Sequence, residues 1–387
     1  MIPMRTRLRT RGGRLALAAL ALAAGACATP AREKTQPVYF PPPPALPRLQ
    51  FLTSFSGLKD IEEQSAFNRF VVGEKVNIKI DKIYGAAIHD GRIYVCDSNA
   101  TVLVFDLKAK SFGALEGAEG EGRLVQPLNL AIDSDGTKYV TDVGRGQVVV
   151  FGSDDRYLRA FGLETPWRPV DVALFEDRLY VADYENRVVQ VFAKESGELL
   201  KAIGSGGEPI ERLDRPTNLA FDPRGYLWVT DFGRFQIVKF DRDGHFQSAV
   251  GRPGDNLGDF ARPKGVAVDR EGNLYAVDAS FNNVQIFNRE GRLLMFFGGP
   301  GQEPGQLQLP ADVSIDYDNV GYFKDLAGPG FEIEYLVLVT SQFGARQVNI
   351  FGFGRDRRQK YPTEAEIREQ LEQRRKKEME RQQPPPP

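Results

Sequence analysis

The sequence predicts an all-β fold: a six-bladed β-propeller of four-stranded antiparallel blades. Three observations carry the prediction. One phrase recurs, as QPLNLAIDSDGTKYVTD at 126–142, RPTNLAFDPRGYLWVTD at 215–231 and RPKGVAVDREGNLYAVD at 262–278. Its opening proline stands at Pro127, Pro169, Pro216, Pro263 and Pro310, at intervals of 42, 47, 47 and 47 residues; Tyr84, 43 residues before Pro127, marks a sixth unit. Each unit holds short alternating apolar runs parted by Gly-containing turns, which is the hairpin signature. Four antiparallel strands repeating every 40–50 residues describe a propeller.

The chain opens differently. Arg5, Arg7, Arg9, Arg11 and Arg14 precede the apolar run LALAALALAAGAC. A basic stretch followed by a short apolar run with a small-residue end is a secretory signal pattern, here 1–26. Ala24-Gly25-Ala26-Cys27 resembles the lipobox of bacterial lipoproteins. That resemblance implies acylation of Cys27 and a lipid-anchored, exported protein. Ala28 after the cysteine, where Asp favours inner-membrane retention, implies the outer membrane. Residues 27–48, with PVYFPPPPALP, read as a stiff proline-rich tether.

Residues 49–354 read as the propeller. In each unit the proline leads into an innermost strand such as NLAID or GVAVD. A turn, often Asp-Gly, Arg-Gly or Glu-Gly, leads to a second strand ending in aspartate. A third strand ends in Phe, as in VVVF or VQIF, and a fourth edge strand follows, as in YLRAFG or LLMFFG. The last unit lacks a fourth strand, while LQFLTSFSG at 49–57 is a strand without a blade. It is expected to complete blade six and close the ring, which removes exposed edges between blades. Residues 320–334 replace the first turn of blade six. Residues 355–387 read as a charged helical tail, capped by Thr363 with Glu366 and ending in prolines.

These units resemble NHL repeats. The shared elements are the opening proline, the Val-Ala-Val-Asp and Leu-Tyr-Ala-Val-Asp strands, the Asn-x-Val-Gln-Ile-Phe strand and the Phe-Gly end. The resemblance covers about residues 49–354 and implies fold rather than activity.

The composition excludes several functions. The chain of 387 residues carries a net charge of −2, so it presents no global polyanion-binding signal. Its two cysteines, Cys27 and Cys96, cannot build a disulfide framework or a multi-cysteine metal site. His89 and His245 fall in predicted turns, and no Ser/His/Asp or Cys/His set assembles around them. Cys96 occupies a position where other units carry Val, Thr or Ala, so it reads as packed inside blade one.

Three sets of residues are candidates for function. Asp97, Asp142, Asp183, Asp231 and Asp278 end the second strands. A carboxylate there accepts backbone N–H bonds from the next loop, so these five read as structural. Arg145, Arg168, Arg187, Arg215, Arg234, Arg262 and Arg346 lie in loops that share one face. They form either a basic ring for an anionic ligand or a set of Arg–Asp pairs between blades. Two residues beyond the prolines stand Asn129, Asp171, Asn218, Gly265 and Asp312, with Ala86 in the first unit. These are expected to ring the channel mouth. Oxygen side chains suit calcium. Gluconolactonase-like propellers, similar in architecture, hold a channel calcium on such groups; that resemblance implies a calcium-dependent lactone hydrolase. The residues themselves favour a binding or scaffolding module that requires no cofactor. It would present its loops to an envelope protein or glycan. A nucleic-acid partner does not suit an exported protein, and no aromatics are interleaved with the basic residues to stack bases.

Overall fold

The computed structural model describes residues 36–61, 80–99, 101–362, and Glu366, Glu369, Glu372 and Gln373 of the tail. The expected signal segment, Cys27 and most of the expected tail helix lie outside the described residues. The chain divides into Met1–Gln36 and Pro37–Pro387, and the propeller belongs to the second unit.

Six antiparallel sheets follow one another along the chain. Blade one runs through Ile83–His89, Arg92–Asp97, Thr101–Asp106 and Ser111–Ala114. Blade two runs through Pro127–Ile132, Lys138–Asp142, Gln147–Phe151 and Tyr157–Phe161. Blades three, four and five open at Pro169–Phe175, Pro216–Phe221 and Pro263–Val268. Their second strands are Arg178–Asp183, Leu227–Asp231 and Leu274–Asp278. Blade six contains Pro310–Asp316, Phe331–Ser341 and Val348–Asp356.

The strand Leu49–Phe55 pairs with Val348–Asp356 and so completes blade six. The first and last parts of the ring are thereby held in one sheet. Blade six departs from the expected tether and from four strands per blade. Val38–Phe40 adds a fifth strand to it, paired with Leu49–Phe51. The proline run between them turns back, with the Arg48 N–H donating to the Phe40 carbonyl at 2.8 Å. Phe40 then packs against Phe297 and Phe351. Burying that ring outweighs the extended preference of the prolines.

Alternation explains why the blades cohere. The two faces of each second strand meet different neighbours. Tyr94 and Cys96 join Leu130 and Val140 of blade two, whereas Ile93 and Val95 join Leu336 and Leu338 of blade six. Every second strand of blades two to five ends in a run of five fully buried residues. Such a core lies at each of the six blade junctions, including the junction of blade six with blade one. Cys96 is fully buried, as its position suggested. Residues 320–334 form two 3-10 turns and then lengthen the hairpin, so the second strand starts at Phe331.

Candidate functional site

Each inner strand carries one more residue than its partner near its start. Pro127 faces Asp142 while Asn129 faces Thr141, and the same shift recurs in all six blades. A bulge of this kind re-aims side chains. Here it turns two consecutive residues toward the cavity in blades one, two, four and six, while Val170 and Lys264 line it for blades three and five. They enclose a cavity of about 290 Å³.

The bulge also settles the alignment of blade one. Ile83 faces Asp97, as each opening proline faces its aspartate. Gly85, not Ala86, therefore occupies the channel position, and Tyr84 stands one place beyond the opening residue. The expected Ala86 was one residue out because Ile83 replaces the proline that anchors the other copies.

The floor comes from the second of the two positions. Asn129, Asp171, Asn218 and Asp312 are all nearly buried. Gly85 and Gly265 make room for them. A Cβ on Gly85 would stand 1.7 Å from Asn129 Oδ1, and one on Gly265 would stand 2.4 Å from Asp312 Cα. Asn218 Nδ2 lies 3.4 Å from Asp312 Oδ1. Asp171 accepts N–H bonds from Val172 at 2.8 Å and from Leu219 of the next blade at 2.7 Å. Asn129 Oδ1 accepts from the Leu130 N–H at 2.9 Å. Burial pushes the Asp312 carboxyl up to about 7, against support from the Val313 and Ala86 N–H groups and the Asn129 amide. Burial and the nearby Asp312 push Asp171 up as well. Like charges this close and this dry do not both ionise, so the pair favours a single charge at neutral pH.

Those bonds bear on a metal. The oxygens of Asp171 and Asn129 are already committed to amides. Among the described residues, no group of three or more His, Cys, Asp or Glu is placed to hold an ion. A calcium ion at the floor would use the remaining lone pairs of the Asp171 and Asn129 oxygens, beside the amides they already accept from.

The rim comes from the first position and the loops. Tyr84, Thr217 and Lys264 line it with Arg168, Arg262, Tyr184 and Phe232. Arg168 stacks over Tyr184, 5.4 Å from the ring centre. Lys264 Nζ sits 5.8 Å from the Phe232 ring and 6.0 Å from that of Tyr84. Burial first, then Arg262 and Lys82, push the Lys264 ammonium down to about 8. Among the described residues, neither Lys264 nor Arg262 has a carboxylate partner.

The other candidates fall elsewhere. Asp97, Asp142, Asp183, Asp231 and Asp278 hold the loops through backbone amides. Asp278 accepts from Ala261, Arg262, Ser280 and Phe281, at 2.7 to 3.2 Å. Asp142 accepts from Val125, Gln126 and Arg145. Asp97 holds Asp81 and Asn99, Asp183 holds Arg168 and Asn186, and Asp231 holds Asp214 and Arg215. The seven arginines do not form one ring about the cavity: Arg168 and Arg262 line it, and the other five do not. Arg145, Arg234 and Arg346 donate to loop carbonyls. Arg187 lies 3.4 Å from Asp214, and Arg234 lies 3.7 Å from Asp231. Lys264 and Tyr84 escaped sequence reading. Their signal was a polar or aromatic residue where other units carry Leu128, Val170 or Ala311 just after the opening residue.

No protein-family model matches the chain. The fold is shared with solved structures at low identity. A gluconolactonase from Xanthomonas campestris is 16% identical, with a TM-score of 0.52 over 79% of this chain and 89% of that one. A streptogramin B lyase is 13% identical, with a TM-score of 0.51 over 71% of this chain and 95% of that one. A Bacteroides thetaiotaomicron protein of unknown function is 16% identical, with a TM-score of 0.55 over 79% of this chain and 75% of that one. These likenesses establish the propeller fold.

Proposed function

We propose that this protein is an NHL-type binding propeller, exported, acylated at Cys27 and held at the cell envelope, with the outer membrane its site. Its loop face and axial cavity receive a partner there. One observation carries the binding reading: at the cavity rim the half-buried Lys264 has, among the described residues, no carboxylate to neutralise it. A charged group kept half-buried without a partner costs stability, and a ligand of opposite charge relieves that cost. The partner is an envelope protein or a glycan. No cofactor is required.

The test is mild crosslinking in the native envelope, comparing wild type with an Arg168→Ala/Arg262→Ala double variant. A partner recovered with wild type and lost from the variant supports the reading. Recovery of the chain alone from wild type overturns it. Membrane fractionation of Cys27→Ser addresses the anchor: the variant should leave the membrane fraction, and its full retention there would sink the lipoprotein assignment.

Calcium-dependent hydrolysis of a lactone is the second reading. It draws on the convergence of Asn129, Asp171, Asn218 and Asp312 beneath an open cavity, and on the fold shared with a gluconolactonase. It requires added calcium to raise the melting temperature and gluconolactone to be turned over. Failure of both responses removes it.

A further inference from the structure

We propose that the axial cavity captures the C-terminal carboxylate of a partner polypeptide whose last residue carries an aromatic ring. The inference rests on the binding reading above and names the ligand group of that same site.

The cavity is shaped for an end rather than a span. Its floor is closed by the contact between Asn218 and Asp312, with Asn129 reaching over Gly85. Its volume of about 290 Å³ suits one or two residues of a chain end. A cavity closed at the bottom accommodates a terminus more readily than a chain passing through.

The charge selects which terminus. Arg262 and Lys264 stand together at the wall, with Lys82 close enough to weaken the hold of Lys264 on its proton. A half-buried ammonium with two exposed cations beside it favours an incoming anion, and an α-ammonium would add to the repulsion. A carboxylate between Arg262 and Lys264 relieves that repulsion.

The aromatic residues select the body. Phe232 and Tyr84 flank Lys264, and Tyr184 lines the same cavity beneath Arg168. An aromatic side chain attached to the carboxylate can pack on these faces while its charge meets the ammonium. The floor adds discrimination. Asp171 and Asp312 together favour one negative charge, so an anion driven to the bottom is repelled and the carboxylate is held at the rim.

Calorimetric titration tests this with the peptide Gly-Gly-Phe as its free acid, its C-terminal amide, and acetate. The free acid should bind, and the amide and acetate should each bind at least about tenfold more weakly. Lys264→Met and Arg262→Ala should each weaken the free acid by about tenfold or more, and Lys264→Arg should restore part of the loss. Arg145→Ala, on the same face but off the cavity, should bind as wild type does. Thermal unfolding of each variant shows that it is folded. Equal affinity for acid and amide, equal affinity for acetate, or acid binding untouched by Lys264→Met overturns the proposal. No binding of the acid at millimolar concentration overturns it too. A crosslinked envelope partner combined with any of those results would discard the carboxylate-capture reading and leave the binding module standing.

Discussion

Asp278 and Asp312 are the same residue type in equally dry places, and they have opposite surroundings. Asp278 ends a second strand at the loop face and receives four backbone N–H groups from two loops. Asp312 starts an inner strand at the cavity floor, beside a second buried carboxyl, with its own charge opposed by burial. Backbone dipoles solvate the first carboxylate in place of water. The second draws two of its donors from side-chain amides and shares its site with another buried carboxyl. Burial alone therefore does not mark a functional carboxyl; a second buried acid beside it, in place of an all-backbone cradle, does. Asp278 is a fastener, repeated because each blade has the same two loops to join. The Asp312 position varies among the units: of the others, only blade three carries an aspartate, Asp171, at the same place.

Three substitutions test that contrast, in falling order of effect. Gly265→Val should cost more than about 3 kcal/mol in thermal unfolding, because a Cβ there meets the backbone of Asp312 rather than a movable side chain. A loss below about 1 kcal/mol would show that the floor yields to an added side chain. Asp278→Ala should cost about 2–4 kcal/mol, since it orphans several buried amides at once. An unchanged melting temperature would remove the fastener role.

Asp312→Asn should act in the other direction. A carboxyl raised to about 7 in the folded chain binds protons that the unfolded chain has already released. Wild-type stability should therefore fall as pH rises from about 4 to about 7 and then level. The asparagine variant should flatten that slope and gain about 1–3 kcal/mol at pH 8, read by denaturant unfolding at several pH values. A wild-type slope that persists unchanged in the variant would place the titrating group elsewhere.

The repeated phrase explains how much of this could be read in advance. The aspartates declared themselves as loop-holders by recurring five times at one structural place, since a chemical role needs a residue once. The channel positions Asn129, Asp171, Asn218 and Asp312 were visible as the varying residues inside a constant phrase. Blade one was misplaced by one residue, because Ile83 stands where the other units have proline. Lys264 was hidden for a related reason. Strand alternation assigns only one of two consecutive residues to a given face, and a bulge that exposes both cannot be seen in a period-2 pattern.

The amino-acid sequence by itself determined the blade count, the order of strands within a blade, the buried second strands and the closure by Leu49–Phe55. Those features follow from local periodicity and from a repeat copied five times, and neither needs distant contacts. Only the tertiary structure decided which side chains meet at the axis. Lys264 and Tyr84 are 180 residues apart in sequence and flank one space because six bulged strands converge there. It also decided that Arg262 faces the cavity while Arg145 bonds to loop carbonyls, although both hold loop positions on the same face. Convergence of six strands on one axis is a property of the closed ring, and no single repeat encodes it.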